Sequence, residues 1–112
     1  GRLVCLRLSV PIFRSGQEID IHLRGERIHG TLIYEKAKEL AIRLKDHPVF
    51  QNDSIWTLLK NETVHGEYDQ AEFRCSFDTR LMDLDRDRTL EGDWILNIQI
   101  PSRIRRVNRR LA

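Results

Sequence analysis

Cysteine is scarce in this chain: the two present, Cys5 and Cys75, stand far apart with no C-x-x-C spacing. That excludes a disulfide framework or a paired-cysteine zinc knuckle as the organising feature, and a reducing cytoplasm is the expected compartment. Proline and glycine are also few, three and six residues respectively, so neither a collagen-like nor a low-complexity chain is in view. No apolar run approaches the about 18 residues of a membrane-crossing helix, and no cleavable signal segment is visible at Gly1. Long helical periodicity is missing as well.

What is there is a chain of 112 residues, 40% hydrophobic and 32% charged, the composition of one soluble globular domain. At this length folding buries roughly two-thirds of the unfolded surface, enough for one core without covalent staples. The apolar residues alternate. Val4, Leu6, Leu8 and Val10 share one strand face, and Ile19, Ile21 and Leu23 do the same after a turn at residues 14–16. Residues 24–26 make a tight connection to a strand with Ile28, Leu32 and Tyr34 on one face and Gly30 in phase, where a bulge or strong coiling is expected. A charged turn at residues 35–39 leads to Leu40, Ile42 and Leu44, alternating with Ala41 and Arg43 and completing a three-stranded meander.

Pro48 interrupts the pattern, so residues 46–53 read as a connecting loop with room for one helical turn. Residues 54–60 are rich in β formers and read as a strand in preference to a short helix. Residues 61–70 are polar, contain Gly66, and read as a hairpin loop. Phe73, Cys75, Phe77 and Leu81 then point one way, residues 83–93 form a charged turn, and Trp94, Leu96, Ile98 and Ile100 share the last apolar face. Six or seven strands, each apolar on one side, cannot lie open without exposing that side. The expected fold is therefore all-β, closed as a small antiparallel barrel or a two-sheet sandwich, with the barrel preferred over residues 1–100 because it removes edges, followed by an irregular basic tail over residues 101–112.

Chemistry-bearing patterns are sparse. His22, His29, His47 and His65 have no H-x-x-x-H or C-x-x-C neighbour, and the spacing of seven between His22 and His29 favours opposite strand faces, so no metal site is expected. Cys75, between Phe73 and Phe77, reads as a small core residue and not a nucleophile. Residues 83–88 (DLDRDR) lack the sharp-turn glycine and spaced glutamate of a calcium loop. With no P-loop, no G-x-G-x-x-G and no Ser/His/Asp signature, a non-enzymatic chain without catalytic residues or cofactor is expected.

The charge is uneven. Arg103, Arg105, Arg106, Arg109 and Arg110 all follow Pro101, and no acid follows Asp93, so these five exceed the whole chain's net charge of +2 and leave residues 1–100 net acidic. Guanidinium forks fit phosphate oxygens in pairs and stack on flat bases, which suits a phosphorylated or nucleotide partner. Arg105 and Arg109, and likewise Arg106 and Arg110, are four apart.

Residues 100–110 (IPSRIRRVNRR) resemble the junction in flagellar-brake (YcgR-like) proteins, where a β domain ends in a strand, a proline and an arginine-rich linker. The resemblance extends more loosely upstream, to residues 11–23 (PIFRSGQEIDIHL) and residues 71–81 (AEFRCSFDTRL). It implies a split β-barrel whose linker, with Arg105, Arg106, Arg109 and Arg110, grips cyclic di-GMP once a PilZ domain is joined to it. The barrel would then face flagellar motor or stator proteins. The second PilZ motif, [D/N]-x-S-x-x-G, begins at Asn52 but has Thr57 in place of the glycine, so the PilZ domain itself is expected outside this chain. A different class of reading is a small nucleic-acid-binding barrel, with the tail arginines on phosphates and Trp56, Trp94 or Phe73 stacking on bases.

Overall fold

In the computed structural model, the residues described are 3–7, 13–51, 61–86 and 92–108. They form eight strands: β1 Leu3–Arg7, β2 Glu18–Leu23, β3 Glu26–Lys36, β4 Glu39–Leu44, β5 Thr63–Gln70, β6 Phe73–Arg86, β7 Trp94–Gln99 and β8 Arg103–Asn108. Every pairing is antiparallel, and six of the strands close on themselves in the order β6, β5, β2, β3, β4, β7 and back to β6. The all-β barrel read from the alternation is the fold observed. Closure follows from strands that are apolar on one face only, because a ring buries that face and leaves no open edge.

The barrel interior holds Ile19, Ile21, Ile28, Leu32, Leu40, Ile42, Leu44, Val64, Phe77, Leu96 and Ile98, all buried. Phe50, from the 3-10 turn Pro48–Gln51, stacks on Trp94 with ring centroids 4.8 Å apart. Phe13 meets Tyr68 and Phe77 edge-on at 5.7 and 6.0 Å.

Several sequence expectations need correction. The polar stretch at residues 61–70 is not a hairpin loop; most of it is β5, with Val64, Gly66 and Tyr68 inward and His65 and Glu67 outward. Gly66 hid the alternation because it occupies an inward position where a side chain cannot fit: an added Cβ would stand 2.3 Å from the Phe77 ring. Tyr34 is 45% exposed and not on the apolar face, since a bulge between Leu32 and Tyr34 shifts the register of β3 by one residue. Gly30 is not the bulge but a close-packing point, where a Cβ would meet Ile42 and Leu44 at 2.7 and 2.8 Å.

A further correction concerns the tail. Arg103–Asn108 is not irregular but the strand β8, paired with β6 on one side and β1 on the other. β6 is 14 residues long and its free edge is shared: Leu81–Arg86 takes β7, and residues 73–76 take β8. Pro101 marks the change. The Ile100 amide still donates to the Lys38 carbonyl at 2.9 Å, on the β4 side. Proline has no amide hydrogen to continue that ladder, and beyond it the chain leaves β4 and carries on along β6 beside β1. Of residues 83–93, read as a charged turn, the first four are instead the end of β6, and 87–91 lie outside the described residues, as do residues 54–60, read as a strand.

Candidate functional site

Alternation along β8 sends its two central arginines to opposite faces. Arg105 pairs in register with Ser76 and donates to Asp78 Oδ2 at 3.1 Å, on the outer face. Arg106 pairs with Cys75 and lies over the Phe73 ring, 3.9 Å from its centroid, so its charge is held by a π face. Its Nε is secluded and has no hydrogen-bond partner among the described residues. Arg103 and Arg105 line a shallow cleft with Asp78 and Phe77. Arg105 and Arg106 therefore do not converge on one point within β8. Arg109 and Arg110 lie outside the described residues.

A second polar region covers the outer face of β2, β3, β5 and β6, and its members come from the register. Asp20 stands opposite His29 on β3 and Glu67 on β5; His22 stands opposite His65, and His65 opposite Asp78 on β6. Arg74 bridges three acids, donating to Glu67 at 2.8 Å, Asp69 at 3.1 Å and Asp20 at 3.2 Å. Arg27 donates to Asp20 at 2.6 Å. Burial pushes the Asp20 carboxyl up, but hydrogen bonds from Arg27, His29 and Arg74 outweigh it and hold its pKa at about 2. Glu67 is held below its ordinary value chiefly by Arg74, against an opposing push from burial, with His65 adding to the fall.

Within this face His22, His65 and Glu67 come together. His65 Nε2 is 3.1 Å from Glu67 Oε1, His22 Nε2 is 3.7 Å from the same oxygen, and the three atoms lie within 4.8 Å of one another. The two imidazole rings meet edge-on with centroids 5.2 Å apart. This grouping was not foreseen. His22 and His65 are far apart in the sequence, and reading residues 61–70 as a loop concealed the strand that sets His65 and Glu67 two residues apart on one face. Val64 and Tyr68 alternating with His65 and Glu67 are the sequence signal for that shared face, and they say nothing of His22. His22 and His29 also share the outer face, because the hairpin turn between β2 and β3 resets the parity that a spacing of seven implied.

The remaining candidates sit in the core. Cys75 is fully buried and its thiol is pushed up by that burial, partly offset by Tyr68 and Arg106. Trp94 is 4% exposed, donates from Nε1 to Asp46 at 3.3 Å and carries Arg86 over its ring. One face of Phe73 is covered by Arg106. The aromatic side chains named for base stacking are thus engaged inside the fold, apart from Trp56, which lies outside the described residues. Among the described residues no helix is long and apolar enough to cross a membrane. Comparison with family models, with curated proteins and with solved structures gives no match for this chain.

Proposed function

We propose that this chain is the N-terminal regulatory domain of a bacterial cyclic di-GMP effector, a non-catalytic β-barrel whose C-terminal arginines contribute to the ligand site of an adjoining PilZ domain. The observation that carries the reading is the exit at Pro101: the last strand leaves the barrel wall and continues along β6 as an arginine-bearing strand. Arg105 and Arg106 are tied to the barrel through Asp78 and Phe73. They act as the root of the connection, and Arg109 and Arg110, next in the sequence, are the residues assigned to the guanine bases and phosphates of the ligand.

The switch is then a matter of differential affinity. A dianionic ligand held between linker and PilZ barrel binds only the arrangement in which both halves of its site meet, and so shifts the population toward that arrangement. The barrel's outer surface is the face offered to a protein partner, with motor or stator proteins as the class to test.

Calorimetric titration of cyclic di-GMP tests the reading. The 112-residue chain alone is expected to give no saturable binding, and a protein carrying it joined to its PilZ domain is expected to bind, with Arg109→Ala and Arg110→Ala each removing that binding. Saturable micromolar binding by the 112-residue chain, or full affinity in the Arg109→Ala, Arg110→Ala double variant, would overturn it.

A further inference from the structure

We infer that His22, His65 and Glu67 form a binding site for one first-row divalent transition ion, zinc foremost, on the outside of the barrel where β2 meets β5. Two imidazole nitrogens and one carboxylate oxygen are a zinc donor set. For bonds of about 2.0–2.1 Å in a tetrahedral site, donor atoms stand about 3.4 Å apart. The separations of 3.1 and 3.7 Å to Glu67 Oε1 bracket that spacing, and all three donor atoms lie within 4.8 Å of one another.

Surrounding hydrogen bonds hold two of the three donors, His65 and Glu67. His65 Nδ1 is 2.8 Å from Asp78 Oδ1. A carboxylate only accepts, so Nδ1 donates to Asp78; Nε2 makes its own 3.1 Å hydrogen-bond contact with Glu67 Oε1, which an ion bound at Nε2 would replace, leaving the carboxylate–histidine–metal arrangement that raises basicity. Arg74 occupies Glu67 Oε2 at 2.8 Å, which locks the carboxylate and leaves Oε1 as a single donor. His22 Nε2 is secluded from solvent and has no hydrogen-bond partner among the described residues. Three candidate donor atoms thus converge, and the His65–Glu67 contact is the one an ion would replace on entering. The residues are about one-third exposed, with side-chain values of 33% for His22, 30% for His65 and 28% for Glu67, so a fourth position stays open to water or to a ligand atom from a partner. Imidazole donors select zinc, cobalt, nickel or copper over magnesium and calcium, which prefer oxygen.

The position gives the ion a structural task. β2 and β5 are joined by three residue pairs, the shortest pairing in the closed ring. An ion bound to His22 on β2 and to His65 and Glu67 on β5 crosses that seam and closes it.

The test uses tag-free, metal-stripped 112-residue protein titrated with zinc sulfate by calorimetry near neutral pH, with cobalt(II) absorption and thermal unfolding in parallel. One ion per chain, a micromolar dissociation constant, intense four-coordinate cobalt bands and a raised Tm are expected. His22→Ala, His65→Ala and Glu67→Gln should each weaken binding by more than about tenfold, Asp78→Asn by about tenfold, and His29→Gln should leave it unchanged. Should a variant fail to fold, the imidazole resonances of the unaltered protein still decide: those of His22 and His65 should move on adding zinc while those of His47 stay. The inference falls if the unaltered protein shows no saturable zinc binding up to about a hundredfold molar excess. It falls equally if the folded His22→Ala, His65→Ala double variant binds as tightly, or if other histidines carry the shift.

Discussion

Two residues whose roles are set by their immediate neighbours show how little slack the barrel has. Gly66 faces inward opposite Phe77, and any side chain there collides with the ring, three of whose carbons stand within 2.9 Å of an added Cβ. Gly66→Ala is expected to cost about 1–3 kcal/mol in urea denaturation, with part recovered by adding Phe77→Leu, which removes the colliding atoms. Equal stability of Gly66→Ala and the parent would refute the close approach. Asp20 is the electrostatic counterpart. Its folded pKa of about 2 lies below its ordinary value of 3.8, so its ionised form contributes stability in full above about pH 4, and that contribution is lost as pH falls through about 2. Asp20→Asn should cost about 1–2 kcal/mol at neutral pH by leaving Arg27 and Arg74 short of a partner. It should also flatten the fall in urea midpoint between about pH 4 and 2, and a fall as steep as the parent's would contradict the assignment.

At the scale of elements, β8 has two jobs: it covers the edge of β6 and it carries the arginines outward. Ile104, 4% exposed, anchors it in the core, and Arg106 sits in register with Cys75 beneath. Ile104→Ala is expected to cost about 2–4 kcal/mol and to loosen β8 ahead of the barrel. In a Cys5→Ser background, Cys75 should resist a thiol reagent in the native protein, being buried with its pKa raised, and should react faster once Ile104→Ala lets β8 open. Unchanged labelling in a destabilised Ile104→Ala protein would mean that β8 does not guard this edge. The short seam between β2 and β5 is the other weak element, and its outer face concentrates the ion pairs of Arg74, Asp20 and Glu67.

For the whole molecule, closure joins strands distant in sequence: β4 pairs with β7, and β2 skips to β5. Such non-local pairings require loop closure before contacts form, so folding in milliseconds to seconds is expected, slower than a helical domain of this size. In a Trp56→Phe background, Trp94 stacked on Phe50 reports this by stopped-flow fluorescence. A microsecond phase carrying the full amplitude would be inconsistent with a closed barrel. The uneven charge has the same global character: a net-acidic barrel carries its positive excess on the strand that leaves it and on the residues that follow.

Alternation of apolar residues was enough, without any structure, to determine an all-β chain, the meander of β2, β3 and β4, the inward faces of β6 and β7, and the concentration of arginine after Pro101. These are local properties, because a period of two is written in neighbouring residues. Tertiary structure alone decided that residues 63–70 are a strand, since an inward glycine is polar-looking in sequence and apolar only beside Phe77. It alone turned the basic tail into β8 over Arg103–Asn108, since the partner of that strand lies some thirty residues back on β6. The meeting of His22 with His65 and Glu67 likewise depends on which strands become neighbours when the ring closes, and no spacing within one strand records that choice.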